Sequence, residues 1–179
     1  FRRSEIVLAL VALVAVLVTG LLTGIGIAVG LSLLDLIRRI AHPHDGILGY
    51  VPGLAGMHDV DDYPLATQVP GLVVYRYDSP LFFANVGIFR QQMRSLARRD
   101  GVEWIVLQCE AVTDIDVTAA DMLEQLTAEL RSRGVHLVLA EMRTRLSEQM
   151  RRYGLLRTVD QDHLYTSIEA AVTAIQGSR

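Results

Sequence analysis

An α/β fold, with a mainly parallel or mixed sheet covered by helices and preceded by an apolar helical hairpin, is what this 179-residue sequence predicts. Two observations predict it. No charged residue occurs from Ile6 to Leu34, and from Gly71 onward β-branched and aromatic runs alternate with segments of helical periodicity, each punctuated by Gly, Pro or Asn.

The apolar run is well beyond the roughly 18 residues that mark a membrane-spanning candidate and too long for the apolar core of a signal peptide. As one straight helix it would extend about 43 Å against a hydrocarbon layer of about 30 Å. The stretch "VTGLLTGIGIAVG" carries Gly20, Gly24, Gly26 and Gly30 with Thr19 and Thr23, which permits a break near 19–24. The expected pieces, about 6–19 and 24–40, are each short for a full crossing. Arg2-Arg3 and Arg38-Arg39 flank the two ends, and a charge symmetry of that kind favours both ends on one side of a membrane, as in a hairpin. The paired spacings Gly20/Gly24 and Gly26/Gly30 suit close packing against further membrane helices. Gly24-x-Gly26 lacks the preceding strand and distal acid of a dinucleotide fingerprint. Beginning on Phe1 ahead of such a segment, the chain reads as a piece of something longer.

Residues 1–41 are thus a membrane segment and 42–69 a Gly- and Pro-rich linker, with a first strand suggested at 47–51. His42, His44, His58, Asp59, Asp61 and Asp62 follow no metal-ligand spacing, so the linker reads as a solvated loop and no metal is expected. Residues 70–179 form the folded domain. "LVVYRYD" is a strand, Asn85 caps a helix that turns Val86, Phe89, Met93 and Leu96 inward, and "VEWIVLQC" is a buried strand. A helix over about 118–133 places Ala119, Leu123, Leu126 and Leu130 inward and ends at Gly134. "VHLVLAE" is a third strand, "RTRLSEQMRRYGL" a helix, the surroundings of Val159 a last strand, and "TSIEAAVTAI" a closing helix.

Net charge is −3, with acids and bases interspersed, which argues against a nucleic-acid surface. All seventeen basic residues are arginine. The lone cysteine, Cys109, ends an apolar run and reads as a buried structural thiol.

The loop "TDIDVT" falls beyond the C-terminal end of a parallel strand, the edge where α/β sheets carry their sites. Asp114-x-Asp116-x-Thr118 has the spacing of a magnesium-dependent phosphatase of the haloacid dehalogenase type. That chemistry needs the first Asp at the strand tip and a distal lysine. Here Glu110 to Thr113 intervene and the chain has no lysine, so no catalytic residue is assigned. The other readings use the helix start. Asp116 or Thr118 serves as N-cap, and either this is its whole purpose or the Thr118 hydroxyl also awaits an anion or a phosphoryl group at the positive end of the helix.

"LLDLIRRIAHPH", "LGYVPG", "YPLATQVPGLVVYRYDSPLFFAN" and "VTDIDVTAADML" together resemble the C-terminal end of a SulP-type sulfate permease, in which the last membrane helices run into a cytoplasmic STAS domain. The resemblance covers about 6–175. It implies the regulatory C-terminal part of a dimeric, multi-pass secondary carrier of sulfate or related anions in the cell membrane, not an enzyme. Its partners would be the remaining transporter helices and a cytoplasmic protein or a nucleotide bound near Asp114, Asp116 and Thr118. No Gly-rich phosphate cradle is present, and no cofactor is otherwise implied. In the related anti-sigma factor antagonists a phosphorylated serine followed by glycine stands two residues after an Asp, which places Thr118 at the phosphoacceptor position. Ala119 departs from that glycine, and a Cβ there would hinder close approach of a phosphate to the backbone. The alternative function is a membrane-tethered STAS phospho-switch that binds partners without transport.

Overall fold

A computed structural model describes residues 3–41, 43–155 and 164–177. The chain forms two compact units, residues 1–42 and 43–179.

The first unit is a pair of helices, α1 (Arg3–Thr19) and α2 (Leu21–Ala41), packed on one another. Gly20 alone separates them, with φ +88°, a left-handed backbone that glycine adopts without steric cost. The break therefore falls inside the predicted window, but α2 starts three residues earlier than expected. It carries an apolar stretch, Leu21–Arg38, long enough to cross a membrane, so the expectation that both arms are short fails for α2. Gly24 packs within the hairpin: a Cβ there would collide with the backbone and side chain of Val16. Gly26 and Gly30 face open space.

The second unit is built on a six-stranded mixed sheet of order β2-β1-β3-β4-β5-β6. Its strands are β1 (Asp45–Tyr50), β2 (Met57–Asp59), β3 (Leu72–Tyr77), β4 (Trp104–Gln108), β5 (His136–Ala140) and β6 (Leu164–Tyr165). β3 to β6 run parallel, while β1 is antiparallel to both of its neighbours. The region 42–69 thus supplies two strands of the sheet where the sequence suggested one. β2 is missed because three residues, Met-His-Asp, carry no alternation to detect. Asp59, read as part of a solvated loop, is buried against Arg76 (3.4 Å) and His44 (3.6 Å). The strand expected near Val159 lies outside the described residues.

Both sheet faces are covered, which is why the central strands are apolar at nearly every position. On one face Val73, Tyr75, Ile105, Leu107, Leu137 and Leu139 meet α3 (Val86–Leu96), α4 (Val117–Ser132) and α5 (Thr144–Arg152). On the other, Leu72, Val74, Val106 and Val138 meet α6 (Ile168–Gly177). The inward residues of α3 are the four that its periodicity picks out, and those predicted for α4 are buried as well. Because β1 is antiparallel, its first residue Asp45 sits opposite Tyr77, the last residue of β3. The His44 carbonyl accepts from the Asp78 amide at 3.0 Å. The connector from α2 therefore joins the sheet at the C-terminal edge of the parallel strands.

Candidate regulatory loop at the sheet edge

Two loops meet at that edge, 78–85 after β3 and 109–116 after β4. They are stitched through an isolated parallel bridge between Leu81 and Ile115. The Leu81 amide donates to the Asp114 carbonyl (3.0 Å) and the Asp116 amide to the Leu81 carbonyl (3.2 Å). Both bridge side chains are buried, so the segment before α4 is pinned from below by the core.

Asp116 is the N-cap of α4. One carboxylate oxygen accepts from the Ala119 amide at 2.7 Å, which satisfies a first-turn donor and places a negative charge at the positive helix end. The other accepts from the Phe83 amide at 2.9 Å, tying α4 to the neighbouring loop. Asp114 serves different partners. It accepts from its neighbour Ile115 (2.9 Å), from Gln149 (2.6 Å) and from Arg145 (3.1 Å), the last two one turn apart on α5. The two carboxylates of the Asp-x-Asp spacing are thus engaged by separate elements, and no group of three metal-type ligands occurs among the described residues.

Thr118 is exposed in the first turn of α4. Ala119, by contrast, is fully buried in the core. Two apolar side chains are exposed at this loop, Val117 (57 %) and Phe83 (72 %).

Asn85 corrects the sequence reading. It precedes α3 but makes no side-chain cap bond. Completely buried, it accepts from the Phe82 amide (2.9 Å) and donates to the Pro80 carbonyl (2.8 Å) and to Ser79 (3.3 Å). Its task is to fold the 78–85 loop, and local sequence does not separate that task from capping, because both place Asn just before a helix. The ties of Asp116 to Phe83 and of Asp114 to α5 were also missed. Only the i, i+4 pairing of Arg145 with Gln149 offered a signal that this face of α5 has a polar target.

At the same edge, on the α6 side of the sheet, a cavity of about 430 Å³ is lined by Arg76, Asp78, Gln108, Glu110 and Arg143 among others. Gln108 and Arg76 share the face of Val106 and Val74 by strand alternation, which puts this cavity across the sheet from α4 and Thr118.

Cys109 is the buried thiol expected, and burial pushes it up to about 12 from a value near 9. Below pH 9 the thiol is protonated whether the chain is folded or not. Between pH 9 and about 12 only the unfolded chain ionises, so this contribution to stability is lost across that window. Urea midpoints should fall with rising pH there, and fall less in Cys109→Ala. Equal pH slopes would mean that the thiol is not shielded.

Residues 63–171 match the family model described as STAS domain. Over 178 residues the chain is 49 % identical to the Mycobacterium tuberculosis protein named "Probable sulfate transporter Rv1739c", covering 98 % of this chain and 32 % of that protein. The chain therefore spans about a third of that relative's length. Among solved structures, the murine Slc26a9 anion transporter in the inward-facing state superposes with a TM-score of 0.76 at 23 % identity, over 86 % of this chain and 25 % of that one. The SulP transporter STAS domain from Vibrio cholerae matches with a TM-score of 0.54 at 23 % identity, over 66 % of this chain and 91 % of that one. With the family match across the sheet and its helices, and a sulfate-transporter relative aligned from the hairpin to α6, this chain belongs to the STAS domain family in the form carried by SulP sulfate transporters.

Proposed function

We propose that this chain is the regulatory C-terminal part of a dimeric secondary carrier of sulfate or a related anion. Residues 1–41 are its last membrane segment, and the STAS domain is a cytoplasmic interaction and sensing module. The observation that carries this reading is the connection itself: an apolar hairpin that ends at Ala41 and a STAS sheet that begins at Asp45, both within the 98 % of the chain that aligns with a named sulfate transporter. The chain supplies no enzymatic step in this reading. Asp114 and Asp116 act as structural ties, and Thr118 is the control point.

The regulatory role of Thr118 is supported by its exposure, by its place in the first turn of α4, and by the bare Phe83 and Val117 beside it, which suit a partner surface sensitive to charge. The same exposed pair favours a second reading, in which the loop binds a cytoplasmic protein without any change in transport. Labelled-sulfate uptake by the full-length protein separates the two. Thr118→Glu should change uptake several-fold at equal protein level, with Thr118→Ser close to the parent. If uptake is unchanged but pull-down of cytoplasmic proteins changes, the partner-binding reading holds. If neither moves, Thr118 is only a helix-start residue.

A further inference from the structure

We infer that the arginine-lined flank of α3 is a docking surface for the phosphate headgroups of an anionic bilayer. Arg90 and Arg94 stand one turn apart on α3, and Arg98 follows in the turn just past its end at Leu96. A groove of about 440 Å³ is lined by Gly87, Arg90, Gln91, Arg94, Ser95 and Arg98. Arg133, just past the end of α4, joins these arginines through a shared partner, Glu129.

The electrostatics are unbalanced. Glu129 accepts from Arg94 through both Nε and Nη2 (2.9 and 2.6 Å), from Arg90 (3.3 Å) and from Arg133 (3.2 Å). These hydrogen bonds, led by the one from Arg94, hold its carboxyl below the usual glutamate range. One carboxylate cannot neutralise three guanidinium groups, and Arg98 adds a fourth that forms no ion pair among the described residues. The Arg90 Nε is buried with no hydrogen-bond partner. Four positive charges against one negative thus gather on one flank of a chain whose net charge is −3. What Glu129 does supply is order. It fixes three long side chains in place, which lowers the entropy that a phosphate ligand would otherwise have to overcome.

The shape of the flank selects the occupant. Arg90, Arg94 and Arg98 all line the one groove, more cationic groups than one free oxyanion needs and suited to several neighbouring headgroups. Its lining is glycine, glutamine, serine and arginine, without the aromatic or aliphatic anchor that centres a protein interface. A bilayer is also the surface at hand, on the reading that the hairpin four residue steps before β1 is a membrane segment, since a tether raises the effective concentration of whatever lies at its far end.

The test uses residues 43–179, which contain both hydrophobic clusters of the sheet unit and correspond to a domain solved on its own in the Vibrio transporter. Because the hairpin is absent from it, failure would leave the transport and Thr118 readings untouched. Co-sedimentation should occur with vesicles containing phosphatidylglycerol and not with phosphatidylcholine alone, and should weaken with salt. Each arginine at an anionic surface multiplies partition about fivefold, so the triple variant R90Q/R94Q/R98Q should lose about a hundredfold. The corresponding lysine triple should retain binding. Arg98→Glu alone, which disturbs no ion pair, should lose roughly tenfold or more. The charge-matched control R143Q/R151Q/R152Q, on and beside α5, should retain most of the binding. No partition onto phosphatidylglycerol, equal losses in the two glutamine triples, or displacement from the vesicles by inorganic phosphate alone would each overturn the proposal. The first would leave no lipid surface, the second would show bulk charge, and the third a small-anion site.

Discussion

Asn85→Ala is expected to lower the stability of residues 43–179 by about 3 kcal/mol in urea denaturation. The side chain is completely buried and carries three contacts, to the Phe82 amide, the Pro80 carbonyl and Ser79. Each buried hydrogen bond contributes about 1 kcal/mol net, and an amide or carbonyl left buried without a partner adds about 1–3 kcal/mol of desolvation cost. The loop also carries Leu81 and Phe83, through which the start of α4 is held. Asn85→Asp sharpens the test. It preserves the acceptor for Phe82 but turns a carboxylate toward the Pro80 carbonyl, so it should be no better than alanine. A loss below about 1 kcal/mol for Asn85→Ala would show that the loop holds itself together by other means.

Gly24→Ala should open or strain the helical hairpin, at a cost of about 1–3 kcal/mol or more. The added methyl would fall inside contact distance of the Val16 backbone as well as its side chain. A side chain can turn away, but helix backbone cannot, so the two helices must separate. Gly26→Ala and Gly30→Ala add the same group where nothing lies within 4 Å, and they serve as paired controls. Thermal unfolding of the 179-residue chain in detergent should show a lower midpoint for Gly24→Ala only. Three equal midpoints would mean that the helices do not meet at Gly24.

Much of this architecture is legible in the sequence because it follows from periodicity. The inward residues of α3 repeat at helical spacing and sit on a single face, and the three long strands are short apolar runs bounded by turn residues. Burial on both sheet faces leaves few other uses for such segments. What escapes reading is contact between distant residues. Nothing in "PLFFAN" says whether Asn85 caps a helix or folds the loop before it. Nothing around Asp116 announces that one of its oxygens belongs to Phe83, thirty-three residues earlier. β2 is too short to have a period, and it is held by pairing with β1 through Leu48, Gly49 and Tyr50. Gly24 is recognisable as a packing residue, but its partner, Val16, is decided by where the chain turns, and a single glycine at 20 decides that. At the candidate site the Asp-x-Asp-x-Thr spacing invites a phosphatase, which the displaced strand end and the lack of lysine already disfavour in the sequence, but the separate partners of the two carboxylates are visible only in three dimensions.

The seating of β1 at the sheet edge has a mechanical consequence. The start of β1 is held twice: the His44 carbonyl accepts from the Asp78 amide, and Asp45 is registered on Tyr77. Beyond Asp78 comes the loop wedged by Asn85, stitched at Leu81 to Ile115 and at Phe83 to Asp116. A pull on the first residue of β1 is thus passed along these ties to the first turn of α4, the turn that displays Thr118.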